Sequence, residues 1–251
     1  MRWSLTIFGV LFSGSVIFLL RTAMTDPGVL PRYSSRKETL VKDNPDVVGE
    51  DGTLISSLVY HSLNPEYVTA KQVVVDGQTQ ILKYCYTCEL FRPPRASHCH
   101  YCDNCVIEFD HHCPWVANCV GRRNYRDFVL FVGFSMLLSL ATSVLLIRLL
   151  HSGPSSQFGP ISIWADGGLV LYSLLATFYL ACLFGYHVFL ACKGLTTSEQ
   201  IKRTRNTTFT LKLCLGNFKR IFWDPIPERS VDWAAYTHRK PKPEPQVMVE
   251  V

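Results

Sequence analysis

Charge is missing from long stretches of this sequence, although the whole chain carries 25 lysines and arginines and 20 aspartates and glutamates. Residues 128–147 contain no charged side chain, and residues 167–192 contain only His187 as a group that ionises near neutral pH. Apolar runs of this length are typical of helices that cross a bilayer. A third uncharged run, residues 3–20, lies at the short end of that range. The missing charge therefore argues against a soluble core and predicts three membrane spans, at 1–22, 128–150 and 167–192.

Lysine and arginine are also missing between the second and third predicted spans. Residues 151–166 contain none, whereas residues 21–127 contain twelve and residues 193–251 contain eleven. Because basic flanks are retained on the cytoplasmic side, this asymmetry predicts a luminal loop at 151–166 and a cytosolic location for both basic regions. The net charge of +5 is mild and confined to one side, which favours contact with membrane lipid and argues against nucleic-acid binding.

The first apolar run has a second interpretation. Arg2 followed by a short apolar stretch is also typical of a secretory signal peptide. A signal peptide would place the following segment on the oxidising side of the membrane, against the charge pattern around the two later spans. We therefore favour a membrane anchor, and three spans would leave the N-terminus on the luminal side.

Cysteine and histidine are concentrated in one short region. Between Cys85 and Cys119 the sequence holds seven of its ten cysteines and four of its eight histidines. Cysteine pairs separated by two residues, with histidine interposed, are typical of zinc sites. Two tetrahedral sites need about eight ligands, so six cysteines and two histidines would complete both and leave one cysteine over. The reducing cytosol favours metal thiolates there over disulfides, although spacing alone does not assign each ligand to a site.

The remaining segments are organised around this cysteine-rich domain, which we place at 73–127. A polar connector at 23–72 precedes it, and β-prone runs around Asp76-Gly77 predict a hairpin that leads into Cys85. A segment at 193–223 and a flexible tail at 224–251 follow the last span. The predicted fold is an α-helical integral membrane protein with a small, mostly irregular and β-hairpin zinc-binding domain between its spans.

The cysteine-rich region resembles that of the DHHC protein S-acyltransferases, also called palmitoyltransferases. The resemblance runs from Cys85 to Phe128, and the nearest subgroup is the one that contains the Ras palmitoyltransferases. It is carried by Arg92-Pro93-Pro94-Arg95, Asp110-His111-His112-Cys113-Pro114-Trp115-Val116, Asn118-Cys119-Val120-Gly121 and Asn124, and outside this region by Asp26-Pro27-Gly28, Thr196-Thr197-Ser198-Glu199 and Asn217.

This resemblance implies two structural Zn²⁺ ions. Carried over by position, one ion would be held by Cys85, Cys88, His98 and Cys105, and the other by Cys99, Cys102, His112 and Cys119. Cys113 is then the free cysteine, and His100 matches no ligand of the family.

The resemblance also implies a reaction at Cys113. A thiol near its ordinary pKa of about 8.5 needs a base or a lowered pKa to act as a nucleophile. His111 would accept the proton, and Asp110 would hold its imidazole in the required tautomer. Cys113 would take the acyl group of palmitoyl-CoA and pass it to membrane-proximal cytosolic cysteines of protein substrates, in the endoplasmic reticulum or Golgi membrane. Some relatives in the subgroup work with a small accessory subunit, and the sequence does not show whether this chain does.

A basic cluster lies between the predicted active site and the second span. Arg122, Arg123 and Arg126 suit the phosphates of coenzyme A. They are equally typical of the positive flank of a membrane span that binds no ligand. Cys192, at the end of the last span, also has two interpretations, as an acylated cysteine or, preferably, as a buried inert thiol.

The chain departs from the family in one respect. Family members usually have two spans before the cysteine-rich domain, and here the sequence predicts one, so we expect the first helix to be missing. The leading hypothesis is a membrane S-acyltransferase, because the Asp110-to-Cys113 run is complete. A non-catalytic zinc scaffold is the alternative that a missing helix would favour. A zinc-finger nucleic-acid binder is disfavoured, because the cluster lacks a helix with a basic reading face.

Overall fold

The structure is a computed structural model, and it describes residues 2–32, 70–75, 78–152, 160–205, 207 and 209–228. Most of the predicted connector, the hairpin tip at Asp76-Gly77 and the tail beyond residue 228 lie outside the described residues. The described helices are α1 (Arg2–Met24), α2 (Tyr125–Ser152), α3 (Pro160–Lys193), α4 (Thr197–Lys202) and α5 (Leu211–Phe222). The described strands are β1 (Ala70–Val75), β2 (Gln78–Cys85), β3 (Leu90–Phe91), β4 (Ser97–Cys99), β5 (Asn104–Val106), β6 (His111–Cys113) and β7 (Asn118–Val120).

Three of the described helices are long and apolar enough to cross a membrane, as predicted. Their apolar ranges are Leu5–Met24, Tyr125–His151 and Ala165–Lys193. Helix α2 packs against both α1 and α3. Hydroxyl groups bridge these contacts, at 2.7 Å between Ser15 and Ser135 and at 2.9 Å between Ser139 and Thr177. Such interhelical hydrogen bonds are typical of helices that associate in lipid, where the hydrophobic effect does not drive packing.

The helices extend beyond the predicted spans. Helix α2 begins at Tyr125, three residues before the predicted start, and α3 begins at Pro160, seven residues before it. Part of the predicted loop at 151–166 is therefore helical. Hydropathy marks the apolar part of a helix and says little about where its hydrogen bonds begin, whereas proline is favoured at a first helical position.

The cysteine-rich domain is a series of short antiparallel hairpins. In the first one Val75 lies opposite Gln78, so the predicted hairpin is present with a two-residue connection. Strand β2 also pairs with β3, β4 with β5, and β6 with β7. Between β2 and β7, which are described throughout, the helical structure is a single 3-10 turn at Pro114–Val116. A domain with so little regular structure is typical of small folds that bound metal stabilises.

Two asparagines attach the end of α1 to this domain. The amide of Asn118 donates to the carbonyl oxygens of Thr22, Ala23 and Thr25 at 3.0–3.3 Å. The amide of Asn124 also donates to the Thr22 carbonyl, at 3.1 Å. These carbonyls lack intrahelical partners at a helix C-terminus. The two side chains therefore end the helix and fix it against β7.

The turn after α1 strengthens this attachment. Asp26 Oδ1 accepts hydrogen bonds from the backbone N–H groups of Gly28 and Val29 at 2.8 and 2.9 Å, and Gly28 has a φ of +108°. The turn lies so close to Gly121 that a Cβ atom there would stand 2.6 Å from the Pro27 carbonyl oxygen. Only glycine fits at position 121 without displacing the turn.

The C-terminal helices pack back onto the end of α3. Asn217 of α5 donates to the Cys192 carbonyl at 2.9 Å, beside Gly194, whose φ is +65°. The side chains of Cys192 and Cys214 lie against each other between α3 and α5. Neither interpretation of Cys192 from the sequence included this pairing, because the two cysteines are 22 residues apart and lie outside the metal-binding pattern.

Candidate active site and metal centres

The strand alternation of β4 separates two neighbouring ligand candidates. His98 and Cys99 are adjacent in an extended strand, so their side chains point to opposite faces. His98 lies opposite Cys105 in the β4–β5 pairing. His98 Nδ1 is 3.5 Å from Cys85 Sγ, 3.4 Å from Cys88 Sγ and 3.9 Å from Cys105 Sγ. These four side chains form the first group of predicted ligands.

A second group forms around the β6–β7 hairpin. His112 and Cys119 lie directly opposite each other across this pair of strands. His112 Nδ1 is 3.4 Å from Cys102 Sγ and 3.8 Å from Cys119 Sγ. Cys99 completes the group on the face of β4 that points away from the first one. The structure thus brings the eight predicted ligands together in the two predicted sets, while His100 is exposed and belongs to neither.

The chemistry of both groups fits zinc. Within each group the ligand atoms lie within 4.8 Å of one another, and a tetrahedral site with Zn–S bonds of about 2.3 Å places its sulfur atoms about 3.8 Å apart. Burial, followed by the neighbouring thiols, raises the pKa of Cys105 and of Cys119. A divalent cation would reverse this effect, because it stabilises the thiolate form. The Asp103 carboxylate lies 3.7 Å from His98 Nε2, on the side of the imidazole that faces away from the cysteines.

The same alternation places His111 and Cys113 on the face of β6 opposite His112. The imidazole of His111 lies close enough to the Cys113 thiol for each group to shift the pKa of the other. Cys113 is outside both ligand groups and is 6% exposed. The thiol packs in a buried apolar cluster with Val116, Phe128 and residues of α2. A free thiol beside a histidine is the usual arrangement of the nucleophile in cysteine-dependent enzymes, and here it lies at the edge of an apolar cluster.

Asp110 completes this arrangement with two hydrogen bonds. Its Oδ2 lies 2.7 Å from His111 Nδ1, and its Oδ1 accepts the backbone N–H of Thr197 at 2.8 Å. The side chain is fully buried, so both oxygens depend on these partners. Residue Thr197 belongs to the Thr196-to-Glu199 motif that carries part of the resemblance, but no sequence signal indicated that its backbone would bind Asp110.

Electrostatics favour an ion pair between His111 and Cys113. Burial alone would raise the pKa of Cys113, but the hydrogen bond and charge of His111 and two backbone N–H groups outweigh burial and lower it. Burial would lower the pKa of His111, but Asp110 and Cys113 raise it to about 9. The pKa of Asp110 is lowered despite its burial, because it bonds to His111. Both shifts favour the state in which a thiolate lies beside an imidazolium.

A basic pocket lies between the cysteine-rich domain and the C-terminal helices. Its lining includes Arg122 and Arg126, which were predicted to bind phosphate, and also Arg95 and Arg220. Arg122 and Arg126 donate to the backbone carbonyls of Arg220 and Phe222 at 3.5 and 3.2 Å. Arg123 points elsewhere, because its guanidinium lies 3.3 Å from the Asp26 carboxylate. The structure therefore brings two of the three predicted arginines to one pocket and leaves Arg123 with the α1 turn.

The site matches a known family. A model of the family described as DHHC palmitoyltransferase matches residues 78–204, just over half of the 251 residues. The chain belongs to the DHHC palmitoyltransferase family. Its three long apolar helices make this family member an integral membrane protein, and its two cysteine–histidine groups fit the zinc binding of the DHHC family.

Individual relatives support the same assignment. The chain is 42% identical over 199 residues to palmitoyltransferase ZDHHC14 of Mus musculus, covering 77% of this chain and 39% of that protein. It is 34% identical over 240 residues to palmitoyltransferase ZDHHC18 of Mus musculus, covering 90% of this chain and 60% of that one. It is 37% identical over 234 residues to probable protein S-acyltransferase 6 of Arabidopsis thaliana, covering 90% and 54%. The chain thus spans about two fifths to three fifths of the length of these DHHC relatives.

Substitutions of Cys113 and of Cys119, which lie on the two strands of the β6–β7 hairpin, should differ sharply in their effect on zinc content. We expect the purified protein to hold two zinc ions per chain, and Cys119→Ser to lose the ion of the second group. Cys113→Ser should keep both ions, because Cys113 faces away from His112. Atomic absorption on the detergent-purified proteins measures this difference. Loss of zinc from Cys113→Ser would show that Cys113 is itself a ligand.

The reactivity of Cys113 should depend on pH through His111. Because the pKa of the Cys113 thiol is lowered, it should react with iodoacetamide at a lower pH than an ordinary thiol, whose pKa is about 8.5. In His111→Gln the cation is removed, so the Cys113 pKa should rise and the rate at pH 7 should fall about tenfold, recovering at higher pH. Mass spectrometry of the Cys113 peptide gives the rates. His100→Gln is the matched control, and an unchanged profile in His111→Gln would contradict the ion pair.

Proposed function

We propose that this chain is a protein S-acyltransferase that moves a palmitoyl group from palmitoyl-CoA to cysteine thiols of membrane-associated proteins. The observation that carries the proposal is the position of Cys113. Its thiol lies near His111, which is held by Asp110, on the face of β6 that points away from the metal ligand His112. Family membership and the names of the relatives support this reaction.

The reaction would proceed in two balanced steps. The Cys113 thiolate attacks the thioester carbonyl, the bond to coenzyme A sulfur breaks, and the departing thiolate takes the proton of the His111 imidazolium. This step leaves a thioester on Cys113 and a neutral imidazole. A substrate cysteine then gives its proton to His111 and attacks the new thioester, which restores the thiolate. One thioester replaces another in each step, so no oxidant or nucleotide is required.

The two metal groups have a structural role in this proposal. Zinc, when bound by the two ligand sets, would supply the attraction that holds six thiolates and two imidazoles together. The backbone of β6 orients the two side chains that take part in the reaction. His112, fixed in its group, would hold the strand so that His111 and Cys113 keep their relative orientation.

The surroundings of Cys113 suit a long acyl chain. The thiol packs against Phe128, Val129 and Val132 of α2, and Leu19 and Ala23 of α1 border the same cluster. Burying acyl carbons contributes about 0.8 kcal/mol per CH₂, so a palmitoyl chain gains roughly 12 kcal/mol in an apolar site. Cys113 lies at the ends of two spanning helices, so it can reach the thioester carbonyl while the acyl chain remains among the helices.

The proposal includes a cytosolic orientation. The cysteine-rich domain lies at the end of α1 and at the start of α2. The segment that follows α3 contacts the same domain. The excess of lysine and arginine in residues 21–127 and 193–251 supports a cytosolic location for this side. Substrates would therefore present cytosolic cysteines close to the bilayer, and we place the protein in the endoplasmic reticulum or Golgi membrane.

The basic pocket is the proposed site for the phosphates of coenzyme A. Among the described residues neither Arg122 nor Arg126 forms an ion pair, and each donates to a backbone carbonyl instead. Burial and the charges of Arg220 and Arg95 lower the pKa of Arg122, although Glu108 opposes them. A bound phosphate would relieve this repulsion.

Acyl-enzyme formation tests the proposed reaction. The purified protein is incubated with palmitoyl-CoA labelled in the acyl chain and then treated with hydroxylamine, which cleaves thioesters. We expect hydroxylamine-sensitive label on the wild type and none on Cys113→Ser, which lacks the thiolate. Unlabelled wild type that is folded and holds two zinc ions would instead support the scaffold alternative.

The basic pocket is tested by the donor concentration that half-saturates the reaction. We expect Arg122→Ala and Arg126→Ala each to raise the KM for palmitoyl-CoA about tenfold, the loss of a charge-assisted bond of about 1.4 kcal/mol. Initial rates of acyl-enzyme formation measure this change. Arg148→Ala, at the opposite end of α2, is the matched control and should leave the KM unchanged. Equal KM values for all three variants would place the phosphates elsewhere.

A further inference from the structure

His187 is a buried histidine inside a membrane-spanning helix. It lies in α3, within the apolar range Ala165–Lys193, and is 2% exposed. Ionisable groups at such positions are expensive and are usually functional. Packing alone would be served at lower cost by phenylalanine, so the imidazole requires an explanation that the proposed reaction does not yet supply.

The surroundings of His187 are the residues behind the reacting pair. Its ring centre lies 5.9 Å from that of His111 and 5.0 Å from that of Phe128, which meets it edge-on at 77°. Phe128 also meets the His111 ring edge-on, at 5.1 Å and 71°. The Tyr125 hydroxyl lies 3.3 Å from His187 Nδ1 and donates to the His187 backbone carbonyl at 3.4 Å. His187 thus lies between the His111 imidazole and the Tyr125 hydroxyl.

The His111 ring needs more than one constraint. Its hydrogen bond to Asp110 holds Nδ1, but the ring can still tilt about that bond, because the outer torsion of a histidine has a broad energy minimum. A small tilt moves the opposite nitrogen away from the Cys113 sulfur. The rings of Phe128 and His187 lie against the His111 ring and would limit such tilting.

We propose that His187 is a positioning residue that holds the His111 imidazole against Cys113, and that the Tyr125 hydroxyl sets the orientation of His187. The inference rests on the proposed function, since it gives His187 a purpose only if His111 serves Cys113. It explains the polar side chain, because the Tyr125 bond satisfies a buried nitrogen and fixes a ring that phenylalanine would leave free to shift.

Tyr125 gives this arrangement a second connection. It is the first residue of α2, and it also lines the basic pocket together with Arg122 and Arg126. A single side chain therefore borders the proposed phosphate site and contacts the residue behind His111. Its hydroxyl points to His187, so removing the hydroxyl alone should affect the orientation of His187 while the aromatic wall of the pocket stays in place.

The test compares His187→Phe, His187→Gln and Tyr125→Phe in the full chain. We expect His187→Phe to lower the single-turnover rate of acyl-enzyme formation about tenfold, with the KM for palmitoyl-CoA within twofold of wild type and two zinc ions retained. Tyr125→Phe should give a similar loss. The double variant should lose no more than either single variant, because both changes remove the same bond between the Tyr125 hydroxyl and the side chain at position 187. His187→Gln, whose amide can still form a hydrogen bond with the Tyr125 hydroxyl, should recover at least a third of the wild-type rate.

A second readout separates this inference from the proposed function. The rate of Cys113 alkylation at a fixed pH of 7 should fall in the same order across the variants, and it requires no acyl donor. Wild-type rates in His187→Phe and Tyr125→Phe would overturn the positioning role even if acyl transfer is confirmed. Additive losses of rate in the double variant would also overturn it. The same holds if a variant gives less protein and less zinc but its folded fraction reacts at the wild-type rate. Absence of an acyl-enzyme on wild type, with alkylation still slowed in the variants, would overturn only the proposed function.

Discussion

The site depends on the alternation of side chains along β6, a strand of only three residues. His112 points to one face and joins a group of metal ligands, so His111 and Cys113 must point to the other. A shift of the β6–β7 register by one residue would exchange these faces and place the thiol among the ligands. The pairing of His112 with Cys119 prevents such a shift, because both belong to one metal group. Metal binding and chemistry are thus separated by strand geometry alone.

The Asp110 carboxylate extends this local order to the end of the last spanning helix. One of its oxygens binds His111 and the other accepts from Thr197, 87 residues away in the chain. The segment around Thr197 is itself fixed, since Glu199 closes a capping box with Thr196 and meets the Arg95 guanidinium through both of its oxygens. The orientation of the imidazole therefore depends on how the C-terminal segment packs against the cysteine-rich domain.

The sequence predicted the features that depend on spacing and composition. Charge-free runs predicted the spans, and the Cys85-to-Cys119 pattern, with its family resemblance, predicted which eight side chains the structure would group. It did not predict the Thr197 contact with Asp110, the ring of His187 behind His111 or the pairing of Cys192 with Cys214. These features arise where segments distant in sequence pack together, and they leave no periodicity to detect. The early start of α3 was missed because hydropathy does not report helix ends.

The position of Cys113 combines two opposed requirements. A long acyl chain needs an apolar environment, and the thiol lies in one, beside Phe128 and Val132. A thiolate in such surroundings is unfavourable, because burial raises the pKa of a thiol. His111 resolves the conflict, since its positive charge stands next to the sulfur and is itself stabilised by the buried Asp110 carboxylate. The polar groups approach the sulfur from the cysteine-rich domain and the apolar ones from the spanning helices. The proposed nucleophile therefore lies at the boundary between these two parts of the molecule.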